Sequence, residues 1–416
     1  MNNPMEARAW GKHYPELGTG PLPVAPMISP ERHAEEQTAV FRKAWLCVGR
    51  VADLPGRGSY FTATLPGGLA TLIIARGEDD AVRAFHNTCR HRGGRLVLED
   101  RGRAKGWACP LHGWTFDTSG CLAYVPDETE FYDLPKQDLA LAPVHCELWE
   151  GFIFVNLQAE PELTLDNYLG DIGRQYAGYF DPMAEVAHYT MHGAMNWKLI
   201  HDVSVESYHV FNIHPIHPVS DESDAASGAA SAAPDVRLPA IQLFPLHRRV
   251  TVPGNPFRPQ SPTEKLMIDY GVVTSFTFPE PTGRPQGLPD GINPLDVPAW
   301  SFDVVVFFPN FLILTGRGLY VTITMWPQGA DRSYYDTRVY MKPAANMAER
   351  VVQEAVIAMT RDVMREDFDH VEPQQAALES GGVDHIWLSD QELAVRHNYA
   401  VLDAVIRRGL KAVAGT

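Results

Sequence analysis

The stretch CRHRGGRLVLEDRGRAKGWACPLHGWTF, Cys89–Phe116, contains the two Cys/His pairs that decide how the chain is interpreted. One residue separates Cys89 from His91, two residues separate Cys109 from His112, and seventeen residues lie between the pairs. Two tight pairs on two loops can converge on one site, and five irregularly spaced cysteines favour metal ligation over disulfides. We therefore predict that the four side chains bind one metal centre.

The order of the ligands and their surroundings indicate which metal centre this is. Structural zinc is the default for mixed Cys and His ligands, and it stays the alternative. Two thiolates on one iron and two imidazoles on the other instead suit a [2Fe-2S] cluster with unequal irons. Three glycines would let the backbone approach the cluster sulfides, and two bulky residues would shield them. These residues are Gly93, Gly94, Gly113, Pro110 and Trp114.

The composition limits the function classes. The chain has 416 residues, 45% of them hydrophobic, and a net charge of -16. Its length predicts two or three domains, and its acidity without Lys/Arg runs argues against nucleic acid or an anionic membrane as partner. With no secretory signal at its start and no apolar stretch long enough to span a bilayer, we expect a cytoplasmic protein. We interpret Cys47, Cys121 and Cys146, which lack His partners, as buried small hydrophobic residues.

Periodicity and turn residues predict the course of the chain. Ser29 as N-cap before Pro30 predicts a helix that runs to about Trp45. Short strands between turn residues predict an antiparallel β domain from Tyr60 to about Asn156. Further helices are predicted around 165–176, 196–211, 347–364 and 390–410, and strands around 302–308, 311–316, 320–327 and 333–341. Segments 220–235 and 279–298 have the composition of loops.

A second set of candidate ligands lies in NWKLIHDVSVESYHVFNIHPIHP, residues 196–218. On a helix, Glu206 and His209 share a face, whereas His214 would point about 140° away from His209. Because Pro215 disfavours the α conformation at His214, the helix is predicted to end near Ile213, and His214 can turn back toward His209. Two imidazoles with open coordination positions need a carboxylate to complete a facial triad for Fe(II).

The third ligand must come from a distant segment. Asp367, in REDFDHVEPQQAAL, is the first choice, with Asp369 and Glu366 as alternatives. An acidic helix start is commonly a solvated face, so these residues alone leave the choice open. His217 is the alternative to His214. His188, His192 and His201 lack ligand spacing, and we interpret them as structural or surface histidines.

With these motifs the chain resembles the catalytic α subunit of a Rieske non-heme iron ring-hydroxylating oxygenase. The resemblance implies an α+β fold, with an antiparallel β Rieske domain and a helix-grip (START-like) catalytic domain that has a curved antiparallel sheet and helices. We place an N-terminal helical arm at 1–44, the Rieske domain at 45–157 and the catalytic domain at 158–416. The implied ligands are Cys89, His91, Cys109 and His112 for the [2Fe-2S] cluster, and His209, His214 and Asp367 for a mononuclear Fe(II).

The resemblance also implies a function. Such a terminal oxygenase activates O2 at Fe(II) with electrons from the cluster and hydroxylates, dihydroxylates or demethylates a small aromatic or quaternary-ammonium substrate. Because no dinucleotide or flavin motif is present, electrons from NAD(P)H would need a separate reductase, with or without a ferredoxin. A Rieske electron-transfer or ligand-binding protein without turnover is the alternative.

Family members assemble as homotrimers, some with added β subunits. The resemblance implies that Glu206 bridges His209 to His112 of the next subunit for electron transfer. Ring dioxygenases carry Asp at the position of Glu206. In carrying Glu, this chain resembles instead the members that oxidise quaternary ammonium compounds. Val203 also departs from the family, many members of which have Asn. Arg248 and Arg249 could pair a substrate carboxylate, although adjacent arginines are usually a solvated face.

Overall fold

The computed structural model describes residues 10–214, 239–253, 287–298 and 300–415. The predicted loop 220–235, the first part of the loop 279–298, and His217 lie outside these residues. The chain forms two compact units. One is Gln37–Tyr168, and the other consists of the residues up to Glu36 together with those from Leu169 onward. The domain boundaries drawn from the sequence, at 44/45 and 157/158, stay predictions. No helix in the described ranges is long and apolar enough to cross a membrane.

The described residues form α-helices and β-strands, numbered in chain order. The α-helices are α1 (Trp10–His13), α2 (Ala25–Ile28), α3 (Pro30–Glu36), α4 (Leu165–Arg174), α5 (Trp197–Ser204), α6 (Val210–Ile213), α7 (Met347–Glu379), α8 (Leu393–Arg408) and α9 (Leu410–Ala414). The strands are β1 (Leu22–Pro23), β2 (Leu46–Arg50), β3 (Ser59–Leu65), β4 (Ala70–Arg76), β5 (Val82–His86), β6 (Arg101–Arg103), β7 (Gly106–Ala108), β8 (Thr115–Asp117), β9 (Leu122–Tyr124), β10 (Pro143–Trp149), β11 (Phe152–Asn156), β12 (Ala184–Gly193), β13 (Ala240–Leu243), β14 (Arg248–Pro253), β15 (Trp300–Phe307), β16 (Phe311–Gly316), β17 (Leu319–Pro327), β18 (Ser333–Met341) and β19 (His385–Ile386).

The unit Gln37–Tyr168 is built from two antiparallel sheets. The larger has the strand order β2-β11-β10-β5-β4-β3-β6, and the smaller has the order β7-β8-β9. The first Cys/His pair follows β5, and the second lies in the connection between β7 and β8. Cys89, Cys109 and Trp114 belong to the hydrophobic core of this unit. The prediction of a small antiparallel β domain is confirmed, and its core supports both loops.

The second unit contains a seven-stranded antiparallel sheet with the order β12-β18-β17-β16-β15-β14-β13. Its central strands, β15 to β17, are buried along nearly their whole length. Helix α5 packs on β17, α7 on β12, and α8 on β13 and β14. The two predicted late helices are present, and the first is much longer than expected, with 33 residues in α7. The predicted α+β fold, with a sheet gripped by helices, is confirmed.

Helix α3 begins as the sequence predicts. The N–H of Arg32 donates to the Ser29 hydroxyl at 3.1 Å, so Ser29 caps the helix. The α-helix ends at Glu36 and continues as a π-helix through Phe41, so it stops short of the predicted Trp45.

Asp303 in β15 is a fully buried carboxylate, and we expect it to make stability depend on pH. It accepts from the Thr251 hydroxyl at 2.6 Å and from the N–H of Asn293 at 2.9 Å. Burial raises its pKa to about 6, above the ordinary value of an aspartate. The folded protein therefore holds this proton more tightly than the unfolded chain, and stability falls as pH rises through about 6, by at most about 3 kcal/mol.

Asp303→Asn should remove this dependence. An Asn amide can accept from Asn293 and donate to Thr251, so the variant should have a higher Tm than the wild type at pH 8 and a similar Tm at pH 4.5. The comparison is thermal unfolding at both pH values. Asp331→Asn, at a surface carboxylate with 59% exposure, is the control. If the difference in Tm between Asp303→Asn and the wild type were the same at pH 8 and pH 4.5, the prediction would be contradicted.

Candidate metal centres

The two Cys/His pairs lie in loops with the same backbone hydrogen bonds. In Cys89–Gly94 the N–H of the first residue donates to the carbonyl of the last at 2.8 Å, and Cys109–Trp114 has the same bond at 2.8 Å. In each loop a glycine N–H, that of Gly93 or Gly113, donates back to the cysteine carbonyl at 3.0 and 2.9 Å. Both glycines have positive φ, 77° and 72°, which other residues rarely adopt. The glycines therefore shape the loops that present the ligands.

The thiols of this site point inward and the imidazoles lie at the surface. Cys89 and Cys109 are only 2% and 3% exposed, whereas His112 is exposed and His91 is partly exposed. A Cβ added to Gly94 would lie 3.7 Å from the Cys109 sulfur, so the two loops approach each other closely. Burial raises the pKa of the Cys89 thiol, and the neighbouring Cys109 adds to the effect. A bound metal would compensate by holding both sulfurs as thiolates.

The two imidazoles are held by packing and by one side-chain contact. His91 stacks on Trp114 with ring centroids 4.8 Å apart, and its centroid lies 4.7 Å from that of His112. The Nδ1 atom of His91 is buried without a hydrogen-bond partner. On His112 the Nε2 atom lies 2.8 Å from Arg92 Nη2. Buried thiols and an orphaned ring nitrogen fit a cluster with cysteines on its inner iron and histidines on its outer iron.

The second set of ligands lies where the predicted helix 196–211 is interrupted, so the expectation of one continuous helix is wrong. The Glu206 carboxylate accepts from the backbone N–H groups of Tyr208 and His209, the second at 3.2 Å. These bonds compete with the backbone hydrogen bonds that would continue the helix. The chain resumes helical structure in α6, which ends at Ile213 as predicted. His214 is extended, with φ -101° and ψ 104°, and turns back toward His209.

Three ligand atoms from this region face one another. His209 Nε2 and His214 Nε2 are 3.3 Å apart, and Asp367 Oδ1 lies 3.6 Å from the first and 3.3 Å from the second. Ligands at right angles about 2.1 Å from one metal lie roughly 3 Å apart, so the triangle has the size of one face of an octahedral site. Asp367 Oδ1 is buried without a hydrogen-bond partner, as suits an atom that binds a cation. Within the described ranges, these residues form the one His/Cys/Asp/Glu group close enough to hold an ion.

A carboxylate holds the outer nitrogen of each imidazole in this triangle. Glu206 binds Nδ1 of His209, and Glu366 Oε2 lies 2.8 Å from Nδ1 of His214. Such contacts fix the tautomer and aim Nε2 at the metal. Glu366, an alternative ligand in the sequence analysis, thus lies on the far side of His214. Asp369, the other alternative, instead binds Arg365 at 2.8 Å and is 54% exposed.

Glu366→Gln is expected to weaken iron binding at the mononuclear site by on the order of 10- to 100-fold, because the neutral amide fixes His214 less firmly. Chelator competition, followed by iron content, measures this while the visible absorption of the cluster should not change. Glu354→Gln, at an exposed position of the same helix, is the control. Iron affinity equal to that of the control would show that Glu366 does not orient His214.

Some sequence interpretations of isolated residues are wrong. Arg248 and Arg249 are both fully buried rather than solvated, because β14 is covered on both faces. Arg248 contacts His201 and donates to Asn398 at 2.8 Å. Arg249 donates to a tyrosine and two glutamines on the opposite face. Cys121 is exposed and Cys146 partly exposed, whereas Cys47 is buried as predicted. For Cys121 the reason is its place at the edge of the small sheet, directly before β9.

The three histidines that the sequence analysis interprets as structural or surface residues have partners in the structure. His188 lies 2.7 Å from Asp336, His192 lies 3.1 Å from Gln328, and His201 is buried beside Arg248. Sequence reasoning missed the role of Glu366 as the partner of His214. The signal that could have found it was the pairing of a second carboxylate with the predicted ligand Asp367 at an adjacent position.

Comparison with known proteins identifies two domains. Residues 180–408 match the ring hydroxylating alpha subunit (catalytic domain) family, and residues 44–141 match the Rieske [2Fe-2S] domain. The first match contains His209, His214 and Asp367, and the second contains the two Cys/His pairs.

Individual relatives have two kinds of named substrate. The chain is 32% identical over 176 residues to the glycine betaine monooxygenase oxygenase subunit of Pseudomonas aeruginosa, covering 42% of this chain and 40% of the relative. It is 39% identical over 156 residues to the large oxygenase component of the naphthalene 1,2-dioxygenase system of a Ralstonia species, covering 37% and 33%. The chain thus aligns with less than half the length of these curated relatives.

Solved structures share the fold over nearly the whole chain. The quaternary ammonium Rieske monooxygenase CntA with gamma-butyrobetaine superposes with a TM-score of 0.70 and 20% identity, covering 93% of this chain and 96% of that one. The chain therefore belongs to the family of ring-hydroxylating oxygenase alpha subunits, with a Rieske [2Fe-2S] domain and a catalytic domain of the kind that binds mononuclear iron.

Proposed function

We propose that this chain is the terminal oxygenase component of a multicomponent system. In this proposal Cys89, His91, Cys109 and His112 hold the [2Fe-2S] cluster, and His209, His214 and Asp367 hold mononuclear iron. The observation that carries the proposal is the triangle of 3.3, 3.3 and 3.6 Å formed by two Nε2 atoms and one carboxylate oxygen. Two imidazoles and one carboxylate on one face leave positions for oxygen and substrate on the other.

The protein's own contribution is to hold this geometry. Iron bound there would supply O2 activation, with electrons delivered through the cluster. Glu206 and Glu366 hold the outer nitrogens of the two imidazoles, so both Nε2 atoms stay directed at the same point. Asp367 supplies one negative charge that offsets the charge of the metal.

The partners follow from the family. We propose a homotrimer, with or without a β subunit, in which Glu206 also reaches His112 of the neighbouring subunit and so connects the two sites. A separate NAD(P)H reductase, with or without a ferredoxin, would supply electrons. The cytoplasmic location remains a prediction from the sequence.

The proposed substrates are small aromatic or quaternary-ammonium compounds, and the reaction is a hydroxylation, cis-dihydroxylation or demethylation. Relatives named for glycine betaine and for naphthalene support both classes. Glu206 in place of Asp favours the quaternary-ammonium class, because the sequence there resembles members that oxidise such compounds.

A substrate screen tests the proposal. Purified protein with a surrogate reductase is offered quaternary amines, aromatic acids and neutral arenes, and oxygen uptake is compared with product formation. We expect uptake matched to hydroxylated or demethylated product for one class, and about three irons per chain. No uptake, with about two irons per chain, would favour a Rieske electron-transfer protein instead.

A further inference from the structure

Two side chains of α7 bind the stretch of backbone that leads into α5. The Gln375 side-chain oxygen accepts from the N–H of Asn196 at 2.9 Å, and Glu372 Oε1 accepts from the N–H of Ala194 at 2.9 Å. Gln375 is only 2% exposed, so its contact is shielded from water. Its Nε2 atom donates to Glu379 at 2.7 Å, which orients the amide with its oxygen toward Asn196. Glu372 and Gln375 therefore fasten α7 to one short segment at two points.

The segment that they bind is itself fixed to the helix that leads to the iron ligands. The Asn196 side chain accepts from the N–H of Lys198 at 3.1 Å and so caps α5. The same side chain donates to the carbonyl of Ala330 at 2.6 Å. The chain then runs through α5 toward His209. A contact between α7 and Asn196 thus relates the position of Asp367, on α7, to that of the histidines.

The register of α7 decides which of its side chains faces the histidines. A shift by one residue moves a side chain about 1.5 Å along a helix and turns it by about 100°. Such a shift would bring Glu366 or Phe368 to the place of Asp367, whose Oδ1 lies 3.3 and 3.6 Å from the two Nε2 atoms. Gln375 is buried on the helix together with the apolar side chains of Phe368 and Leu378. Apolar contacts are non-directional, whereas a hydrogen bond requires its donor and acceptor at a set distance and angle.

We propose that Gln375, supported by Glu372, is a positioning residue of the mononuclear iron site, because it fixes the register of α7 and so holds Asp367 opposite the two imidazoles. The inference rests on the iron site of the proposed function and goes beyond it, since that function assigns the ligands but not what aligns α7 with α5. Loss of the Gln375 contact should lower the affinity for Fe(II) by about tenfold, the smaller of the effects usual for residues that orient metal ligands. It should also change the arrangement of the ligands around the metal.

The test measures iron binding by the intact, cluster-loaded chain. Chelator competition gives the affinity for Fe(II), and the EPR signal of the nitric oxide complex, recorded with the cluster oxidised, reports the arrangement of the ligands. Gln375→Met removes the acceptor at nearly constant volume, so it should weaken binding and alter the shape of the signal. Glu372→Met should have the same effects to a smaller extent, because this contact is exposed. Glu372→Gln should bind iron like the wild type, because its amide oxygen can still accept from Ala194.

Val352→Ala is the matched control for a loss of packing. Val352 is 1% exposed on the same helix, fifteen residues before Asp367, so this variant should lower the Tm without changing the shape of the EPR signal. Affinities are compared well below the Tm of every variant. If Gln375→Met lost no more iron affinity than Val352→Ala and kept the wild-type signal, the inference would be overturned, since the contact would then be only structural. A wild type with about two irons per chain and no nitric oxide signal would instead disprove the iron site on which the inference rests.

Discussion

Asp367→Ala is expected to lower the iron content from about three to about two per chain and to abolish oxygen-dependent turnover. The substitution removes one corner of the triangle in which Asp367 Oδ1 lies 3.3 Å from His214 Nε2 and 3.6 Å from His209 Nε2. It also removes the one negative charge among the three proposed ligands. Two neutral imidazoles without this carboxylate should hold iron weakly and leave its geometry undefined.

The cluster shows whether the effect is confined to the mononuclear site. Its visible absorption should not change in Asp367→Ala, because Cys89–Gly94 and Cys109–Trp114 lie in the other compact unit. Asp369→Ala is the matched control, since that side chain is exposed on the same helix and binds only Arg365 in the described contacts. If Asp367→Ala kept its third iron and its turnover, the carboxylate ligand would have to be sought elsewhere.

Much of both sites follows from local sequence chemistry. The spacing of Cys89, His91, Cys109 and His112 predicts one centre on two loops, and the structure gives the two loops matching hydrogen bonds. Pro215 predicts that the helix stops before His214, and α6 ends at Ile213. These features depend on residues within a few positions of one another, which is why the sequence alone reveals them. The ligand roles themselves stay predictions that the geometry supports.

Features that depend on packing between distant segments were harder to predict. Glu366 and Asp367 are adjacent, about 100° apart on a helix, and which one faces the histidines depends on how α7 docks. The interruption between α5 and α6 arises because the Glu206 side chain takes two backbone N–H groups. Arg248 and Arg249 look like a solvated pair until the sheet and its covering helices are assembled around β14. In each case the deciding contact comes from outside the local pattern or from a side chain competing with the backbone.

Glu36→Ala is expected to destabilise the catalytic unit by about 3–5 kcal/mol, because it leaves a buried charge without its partner. Both carboxylate oxygens of Glu36 contact Lys198 Nζ, at 2.9 and 3.0 Å, and both side chains are fully buried. The same carboxylate accepts from the Trp197 indole N–H at 2.9 Å. Burial lowers the pKa of Lys198, and the attraction of Glu36 opposes that effect. The negative charge of Glu36 therefore offsets part of the cost of burying the Lys198 ammonium group.

The ion pair joins α3 to α5, the helix that leads directly into Glu206 and His209, so the same variant should also lose mononuclear iron more easily. Thermal and urea unfolding measure the stability, and chelator competition measures the iron. Glu35→Ala is the matched control: its side chain is 57% exposed and lies 3.8 Å from Arg32, a surface pair expected to contribute less than about 1 kcal/mol. Replacing Glu36 and Lys198 together by Met should restore much of the stability, since the charge and its partner then disappear together. If Glu36→Ala unfolded like Glu35→Ala, the buried pair would not be what anchors α5, and the position of His209 would have to depend on its contacts with Glu206.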